Sequence, residues 1–379
     1  MLTSRERVLC ALNHEEPDRV PIFFGTSGVT TMLGAAYDRF KAHLGIQRET
    51  KVFWRALQYA VLDEDVMARF GSDGRPLFMG PVPTPQEREL SPDDLLDSWG
   101  ITWHRSPGNH YYEIVNPPLK TASIDDLDRY PWPDLAHPSR FVGLKAKAKA
   151  IQDAGYAVVA LSGVSVFEYC YMLRGVETWL TDLAANPDFA LALLRRVTDL
   201  QREAACRMME EAGEYVDVVI TGDDLGSQNA PLISPKMYRR LVKPFQAEVL
   251  ASIKSRTKGK VFYHSDGNIY SLLGDLIEIG VDLLNPVQVS AKDMGDTARL
   301  KKEFGDRLSF CGAVDTQEVL PYGTPDDVRR EVRRRIKDLG PGGGYILASV
   351  HCIQPDVPPE NVIAMLEEAQ VAGRYPLSL

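Results

Sequence analysis

The sequence predicts an α/β protein with a (β/α)8 TIM barrel fold, and three observations support this prediction. From about residue 155 onwards, apolar runs of strand length alternate with longer segments of helical periodicity. These runs lack the polar alternation of half-exposed strands, which is typical of strands that are buried on both faces of a parallel sheet. Together with two strands expected before residue 155, the runs give about eight units, the number that closes such a barrel.

The N-terminal part begins with a short helix, which Ser4 can cap and Pro17 terminates. Residues 20–24 form an apolar run that ends at Gly25, and this pattern predicts a short buried strand. One further strand is expected between this run and residue 155, where the alternation of strands and helices is weaker.

Residues 72–140 are rich in proline, aspartate and tryptophan. We predict that this range is an insertion that covers one end of the barrel, with antiparallel strands at 99–103 and 111–115. Because no shift in composition marks a second domain, residues 1–379 are predicted to form a single domain.

Six apolar runs predict the later strands: residues 157–161, 217–221, 260–263, 282–285, 308–311 and 345–348. Helical segments lie between them, including one that begins at Ser234 and is expected to kink at Pro244. An open doubly wound sheet is the alternative fold, but no G-x-G-x-x-G motif follows a predicted strand.

The composition limits the classes of function. Of the 379 residues, 44% are hydrophobic and 25% are charged, and the net charge is −9. An acidic surface argues against nucleic acid or an anionic membrane as the main partner. The five cysteines form no C-x-x-C pair, the charged N-terminus is not a signal peptide, and no apolar run is long enough to span a membrane. The sequence therefore predicts a cytoplasmic protein.

Polar side chains that suit catalysis follow most of the predicted strands. They are Glu168, Asp223, Asp224, Gln228, His264, Asp266, Asn285, Gln288, Asp315, Gln317, His351, Cys352 and Gln354. Because the carboxyl ends of parallel strands meet at one face of a barrel, we expect these residues to line one cavity.

Four of these residues are candidate metal ligands: His264, Asp266, His351 and Cys352. Zinc binds imidazole, thiolate and carboxylate groups, and a catalytic zinc site keeps one position open, so these residue types indicate a zinc site. Two alternatives remain at this stage. Either Asp266 orients His264 without binding the metal, or His264 only hydrogen-bonds a ligand in a polar pocket that holds no metal.

Three acids are candidate catalytic groups. Asp223 and Asp224 share a loop, where one can act as a general acid or bind a cationic group while the other caps a helix; turn chemistry alone is the alternative. Glu168 is a further candidate acid or ligand, and a buried ion pair with Arg174 or another cation is its alternative. The expected substrate-binding residues are Gln228, Asn285, Gln288, Asp315, Gln317 and Gln354.

Several segments resemble the uroporphyrinogen decarboxylase superfamily. They are Ser4 to Leu12 followed by Pro17 to Pro21, Leu232-Ile233-Ser234-Pro235, His264-Ser265-Asp266-Gly267, Gly312-Ala313-Val314-Asp315-Thr316, Gly343 to Ile346 and Pro358 to Asn361. The resemblance covers nearly the whole chain, and it implies a barrel with an active site at one end.

The superfamily contains two chemistries. True decarboxylases carry an arginine-rich N-terminal segment that holds the acidic side chains of the tetrapyrrole, whereas residues 23–30 contain no arginine here. The sequence is more similar to the cobalamin-dependent methyltransferases, which bind zinc through a His-x-Cys pair and a later cysteine. His264 and Cys352 match that pattern, but Asp266 stands where the first cysteine is expected.

This resemblance implies a methyltransferase that demethylates a small methoxylated compound or a methylated amine. It also implies zinc, a corrinoid carried by a partner protein, and a homodimer. A tetrapyrrole decarboxylase, which is a carboxy-lyase, is one alternative function. A non-catalytic barrel that binds a corrinoid or another ligand is the other.

Overall fold

The computed structural model describes residues 2–378, and its strands fall into three sheets. In chain order the strands are β1 (Lys51–Trp54), β2 (Tyr59–Val61), β3 (Gly74–Phe78), β4 (Arg88–Ser91), β5 (Asp94–Leu96), β6 (Thr102–His104), β7 (Glu113–Asn116), β8 (Ala157–Val164), β9 (Val218–Gly222), β10 (Lys260–His264), β11 (Leu283–Asn285), β12 (Ser309–Val314) and β13 (Tyr345–Ser349).

Helices fill most of the connections between the strands. They are α1 (Ser4–Leu12), α2 (Gly34–His43), α3 (Glu64–Arg69), α4 (Ile124–Arg129), α5 (Leu144–Asp153), α6 (Val166–Arg174), α7 (Val176–Ala185), α8 (Pro187–Ala212), α9 (Pro235–Leu241), α10 (Lys243–Lys254), α11 (Leu273–Glu278), α12 (Thr297–Phe304), α13 (Val319–Tyr322), α14 (Pro325–Leu339) and α15 (Pro359–Ala372). Within residues 2–378, no helix combines the length and apolar character needed to cross a membrane.

The central element is a parallel sheet of seven strands whose spatial order follows the chain: β3, β8, β9, β10, β11, β12 and β13. The strands β12 and β13 are buried at every position, as expected for a sheet covered on both faces. A doubly wound sheet would instead reverse its order at a switch point. The six apolar runs predicted after residue 155 are confirmed as β8 to β13.

Residues 20–24 lie between the two edges of this sheet. Ile22 forms a parallel bridge with Leu347 of β13, and the Phe23 N–H donates a hydrogen bond to the Leu347 carbonyl at 2.9 Å. On the other side, the Ile22 carbonyl accepts a hydrogen bond from the Asp73 N–H at 2.8 Å, directly before β3. The sheet and this segment together fit a TIM-like barrel.

The strand β3 corrects the prediction for residues 72–140, because this part of the range belongs to the parallel sheet and is not an insertion. Arg75 interrupts the apolar pattern of β3. Its guanidinium lies 3.6 Å from the centroid of the Tyr156 ring and donates two hydrogen bonds of 2.7 Å to Glu64, which explains how the strand tolerates a buried charge.

The strands β4 to β7 form a separate antiparallel sheet. Trp103 of β6 lies opposite Ile114 of β7, within the two segments that the sequence predicts to pair. Trp99, just before β6, packs against Tyr169 of α6 with ring centroids 4.4 Å apart. That this sheet covers one end of the barrel stays a prediction.

The helical segment that begins after Ser234 is divided at Val242 rather than kinked. The helix α9 ends at Leu241, and α10 begins at Lys243 with Pro244 in its first turn. Proline is favoured there because the N–H that it lacks would have no partner within the helix.

The buried carboxylate of Asp73 fastens the N-terminal segment to the sheet. Its side chain is fully buried and accepts hydrogen bonds from Arg7 at 2.7 Å and from Arg19 at 2.8 Å. The Ile22 N–H donates to the same carboxylate at 2.8 Å. Asp73 therefore joins α1, the segment 20–24 and the start of β3.

We predict that Asp73→Ala lowers the free energy of unfolding by about 3–5 kcal/mol, because two arginines would lose their buried counter-ion. Asp65→Ala removes an exposed partner of Arg48 and should cost less than about 1 kcal/mol. Urea unfolding of both variants measures the difference, and equal losses would contradict the role of Asp73.

Candidate active site

The carboxyl ends of neighbouring strands bring the predicted site residues to one face of the sheet. His264 is the last residue of β10 and lies opposite Gly222 of β9 and Asn285 of β11. Glu168 lies in the first turn of α6, which follows β8, and His351 comes two residues after β13. The convergence expected from a parallel barrel is therefore present for these residues.

His264, Asp266 and His351 form a cluster in which one ligand atom from each residue lies within 4.8 Å of the others. Nε2 of His264 is 3.9 Å from Oδ2 of Asp266, and Nε2 of His351 is 3.8 Å from the same oxygen. The centroids of the two imidazole rings are 5.4 Å apart. We call these three residues the His-Asp-His cluster.

Asn285 sets the orientation of the His264 ring. Its Nδ2 donates a hydrogen bond to the Cys311 carbonyl at 3.2 Å, so its Oδ1 faces Nδ1 of His264 at 2.7 Å. Nδ1 of His264 then carries the proton, and Nε2 keeps a free lone pair on the side of Asp266. Asn285 is 0% exposed and orients His264, and its predicted contact with substrate stays a prediction.

The sequence predicts Cys352 as a fourth metal ligand. In the structure it lies beside the His-Asp-His cluster but outside that group of ligand atoms. Its Sγ is 3.0 Å from Nδ1 of His351 and 3.3 Å from Nε2 of Gln354. Burial, with the nearby charge of Asp266, raises the pKa of the thiol, which favours its protonated form. Burial lowers the pKa of His351, which favours the neutral imidazole that a metal ion requires.

The donor set fits a divalent metal ion such as zinc. Oδ1 of Asp266 is buried and has no hydrogen-bond partner, which is costly for a carboxylate oxygen. Tetrahedral zinc with ligand bonds of about 2.1 Å separates its ligand atoms by about 3.4 Å. The observed separations of 3.8 and 3.9 Å between the imidazole nitrogens and Asp266 are close to this value.

Asp224 and Gln288 support the loop that carries Asp266. Oδ1 of Asp224 accepts a hydrogen bond from the Asp266 N–H at 2.9 Å and lies 3.8 Å from Nε2 of His264. Oε1 of Gln288 accepts a hydrogen bond from the Gly267 N–H at 2.7 Å. Both side chains therefore help to hold Asp266 against the two imidazoles.

Ser165 connects two further acids, Glu168 and Asp223. Its Oγ donates a hydrogen bond to Oε2 of Glu168 at 2.7 Å and lies 3.2 Å from Oδ1 of Asp223. Oδ1 of Asp223 also accepts a hydrogen bond from the Glu168 N–H at 2.8 Å, which caps the N-terminus of α6. Sequence reasoning missed Ser165, although the Ser-x-x-Glu pattern at a helix start was a usable signal.

Both acids bind protons more tightly than usual. Burial, followed by the charge of Asp224, raises the pKa of Glu168 to about 8. Burial also raises the pKa of Asp223 to about 7, against the opposing effect of the Glu168 N–H. Arg174 bonds to Asp182 at 2.7 Å, so its predicted alternative pairing with Glu168 is wrong. At neutral pH the pair Glu168–Asp223 therefore retains a proton.

A buried network behind Asp223 holds its other oxygen. Nε2 of Gln246 donates to Oδ2 of Asp223 at 2.7 Å and lies 2.8 Å from the Tyr263 hydroxyl. The Tyr238 hydroxyl donates to Oε1 of Gln246 at 2.7 Å. None of these three residues was predicted, because polar groups at buried positions of α9, α10 and β10 form no motif in the sequence.

Tyr59 forms a wall of the site that sequence reasoning also missed. Its ring centroid is 6.4 Å from that of His351. Gly28 permits this position, because a Cβ there would lie 2.6 Å from atoms of the Tyr59 ring. Tyr59 belongs to β2, outside the parallel sheet, so the rule that polar residues follow barrel strands could not identify it.

The remaining four predicted substrate-binding residues differ in how far they are buried. Gln228 and Gln317 are exposed, and Gln354 is half-buried. Asp315 is buried, and its Oδ1 accepts a hydrogen bond from the Gln317 N–H at 2.8 Å, which is turn chemistry. A contact of any of these four with substrate stays a prediction.

Comparison with known proteins gives related families and folds. Residues 106–371 match the family model described as uroporphyrinogen decarboxylase (URO-D). A uroporphyrinogen decarboxylase of Coxiella burnetii is 24% identical over 285 residues, which cover 73% of this chain and 74% of that protein. The methylcobamide:CoM methyltransferase MtaA of Methanosarcina barkeri is 29% identical over 203 residues, which cover 51% of this chain and 55% of that protein.

The fold is also found among solved structures. A methyltransferase from Methanosarcina mazei aligns with a TM-score of 0.65 and 18% sequence identity, and the alignment covers 98% of this chain and 99% of that one. The similarity supports the barrel-like α/β fold over nearly the whole length.

We predict that the purified protein retains about one zinc ion per chain and that Asp266→Ala and His351→Ala lose it. Cys352→Ser should keep the metal, because the thiol lies outside the His-Asp-His cluster. Elemental analysis after dialysis against a weak chelator gives the stoichiometry. Loss of zinc from Cys352→Ser alone would contradict the assigned ligands.

Proposed function

The chain belongs to the uroporphyrinogen decarboxylase family, and from this premise we propose that it is a methyltransferase. The proposed reaction removes the methyl group of a small methoxylated compound and passes it to a corrinoid carried by a partner protein. The similarity to a protein named for its action on a methylcobamide supports this choice within the family.

The two buried acids Glu168 and Asp223, joined through Ser165 at the same face of the sheet as the His-Asp-His cluster, are the observation that carries the proposal. An ether oxygen is a poor leaving group until it takes up a proton or binds a Lewis acid. A carboxyl group with a pKa near 8 is protonated at neutral pH and can supply that proton. We therefore assign Glu168 as the general acid.

The proposed reaction balances with one proton. The bond between the methyl carbon and the oxygen breaks, and its electron pair stays on the oxygen. The oxygen takes the proton of Glu168 and leaves as an alcohol or phenol, while the methyl carbon bonds to the corrinoid. The corrinoid, when bound, supplies a strong nucleophile. Burial and the nearby charges of Asp224 and Asp223 keep the proton on Glu168 before the bond breaks.

His264, Asp266 and His351 would hold zinc beside the substrate. When bound, the ion supplies a Lewis acid that withdraws electron density from the ether oxygen. Asn285 keeps Nε2 of His264 free for this task, and Tyr59 shields His351 from solvent on one side.

A methoxylated substrate suits these acids better than a methylated amine does. A methylated ammonium group leaves as a neutral amine without taking up a proton, so a general acid would have no function. An ether requires one. The protonated pair therefore favours an oxygen leaving group.

The charges of the site disfavour the tetrapyrrole decarboxylase. Four carboxyl groups meet at the carboxyl ends of the strands: Glu168, Asp223, Asp224 and Asp266. In the segment that matches the arginine-rich region of the decarboxylases, Thr26 and Thr30 hydrogen-bond each other at 2.9 Å. A substrate with many carboxylates would meet acids instead of guanidinium groups.

A cytoplasmic location is part of the proposal. Within residues 2–378 the five cysteines are all free, which is typical of proteins in a reducing compartment. A strongly reduced corrinoid nucleophile also requires reducing conditions.

We predict methyl transfer to chemically reduced cobalamin, used in place of the partner, from methoxylated aromatic donors and not from methylamines. His264→Ala should lower the rate about 100-fold or more, because it removes a ligand of the Lewis acid. Asp65→Ala, which changes an exposed side chain that pairs with Arg48, should change the rate by less than about twofold. Absorption spectroscopy of the cobalamin measures the transfer.

Two outcomes of this experiment would contradict the proposal. Conversion of uroporphyrinogen to coproporphyrinogen, without methyl transfer from any donor, would identify a decarboxylase. Tight ligand binding without turnover, unaffected by His264→Ala, would identify a non-catalytic barrel.

The rate should also fall as pH rises through about 8, because the acid form of Glu168 is lost above that pH. Glu168→Gln should lower the rate by about 10²–10⁴-fold and abolish the decline. Asp224→Asn should move the decline to lower pH, since it removes a negative charge that raises the pKa of Glu168. An unchanged pH profile in Glu168→Gln would exclude Glu168 as the acid.

A further inference from the structure

Arg140 differs from the other arginines that are at least partly buried. Arg7, Arg75, Arg174 and Arg335, which are buried, each pair with a carboxylate. The half-buried arginines other than Arg140 pair in the same way. Within residues 2–378, no carboxylate oxygen lies within 4.0 Å of the Arg140 guanidinium.

The guanidinium of Arg140 is held in place by backbone carbonyls only. Nε donates to the Gly80 carbonyl at 3.0 Å, and Nη1 donates to the Leu135 carbonyl. Nη2 donates to no protein group within the described residues and is not enclosed. Burial lowers the pKa of Arg140 against the opposing effects of Tyr169 and of the more distant carboxylate of Asp134, although an arginine stays charged at neutral pH.

Arg140 lies at the same end of the sheet as the His-Asp-His cluster. Gly80 follows the carboxyl end of β3 by two residues, and its backbone N–H donates to the Arg140 carbonyl at 2.7 Å. Tyr169, which directly follows Glu168, is close enough to Arg140 for the charge of the guanidinium to affect the pKa of its phenol.

Aromatic side chains connect this position with the cluster. Phe78 ends β3 and packs on Phe53 with ring centroids 4.7 Å apart. Phe53 in turn lies 5.9 Å from Tyr59, whose ring is 6.4 Å from that of His351. Phe53 and Phe78 are only partly buried, so part of each ring stays accessible to a ligand.

We propose that Arg140 binds a carboxylate of the substrate and that the substrate is an aromatic methyl ether carrying one carboxylate. The aromatic ring would lie along Phe78, Phe53 and Tyr59, with the methoxyl group towards the His-Asp-His cluster. This inference rests on the proposed function, because it assumes that the reacting group is a methoxyl.

The free edge of the guanidinium explains the choice of a carboxylate. Both N–H groups of Nη2 are unused by the protein, and a carboxylate accepts such donors in charge-assisted hydrogen bonds. A neutral ligand would leave the charge of Arg140 without a partner in a half-buried position. The preference for the anion should therefore reach about ten- to hundredfold in affinity.

Equilibrium binding of 4-methoxybenzoate and its neutral amide, 4-methoxybenzamide, tests this inference without requiring methyl transfer. The unmodified protein should bind the carboxylate at least about tenfold more tightly. Arg140→Met should lose this preference while binding the amide as before. Arg140→Lys, which keeps the charge, should retain part of it. Isothermal titration calorimetry measures the six affinities.

Arg105→Met is the matched control, because Arg105 is also half-buried but pairs with Asp93. It should leave the preference unchanged. Equal affinities of the unmodified protein for both probes, no binding of either probe, or a preference that survives Arg140→Met would each overturn the inference. Because binding is measured without a corrinoid, failure of methyl transfer alone would contradict the proposed function and leave this result intact. If Arg140→Met does not fold, the preference of Arg140→Lys for the carboxylate is compared with that of the unmodified protein. An undiminished preference in Arg140→Lys would then overturn the inference.

Discussion

The carboxylate of Asp73 holds together the two edges of the parallel sheet, and the site depends on this connection. Arg7, Arg19 and the Ile22 N–H all donate to it, so the segment 20–24 lies between β13 and β3. Without that alignment the ends of β3 and β13 would not face one another. The residues that follow them, including His351, would then not share a cavity with His264.

The site contains two arrangements of buried carboxyl groups, and each requires its own compensation. The His-Asp-His cluster contains a buried carboxylate oxygen without a partner, which favours a cation. The pair Glu168–Asp223 avoids two buried negative charges by keeping a proton. One region therefore attracts positive charge while its neighbour stores a proton. In the proposed reaction, both properties would assist the departure of an oxygen leaving group.

The sequence was informative where burial determines the pattern. Strands β8 to β13 are apolar because both faces are covered, and the polar residues after them converge for the same reason. It was uninformative for β3, where Arg75 is compensated by Glu64 through tertiary contacts. Tyr59 was missed for a similar reason, since Gly28 admits its ring only in the folded chain.

The central proposal is that two imidazoles and a carboxylate, without a thiolate, would hold a metal ion in this protein. X-ray absorption spectroscopy of the zinc-loaded protein tests it most directly. The account predicts only nitrogen and oxygen neighbours at about 2.0–2.2 Å. A sulfur neighbour at about 2.3 Å would require Cys352 in the ligand set and would contradict the account.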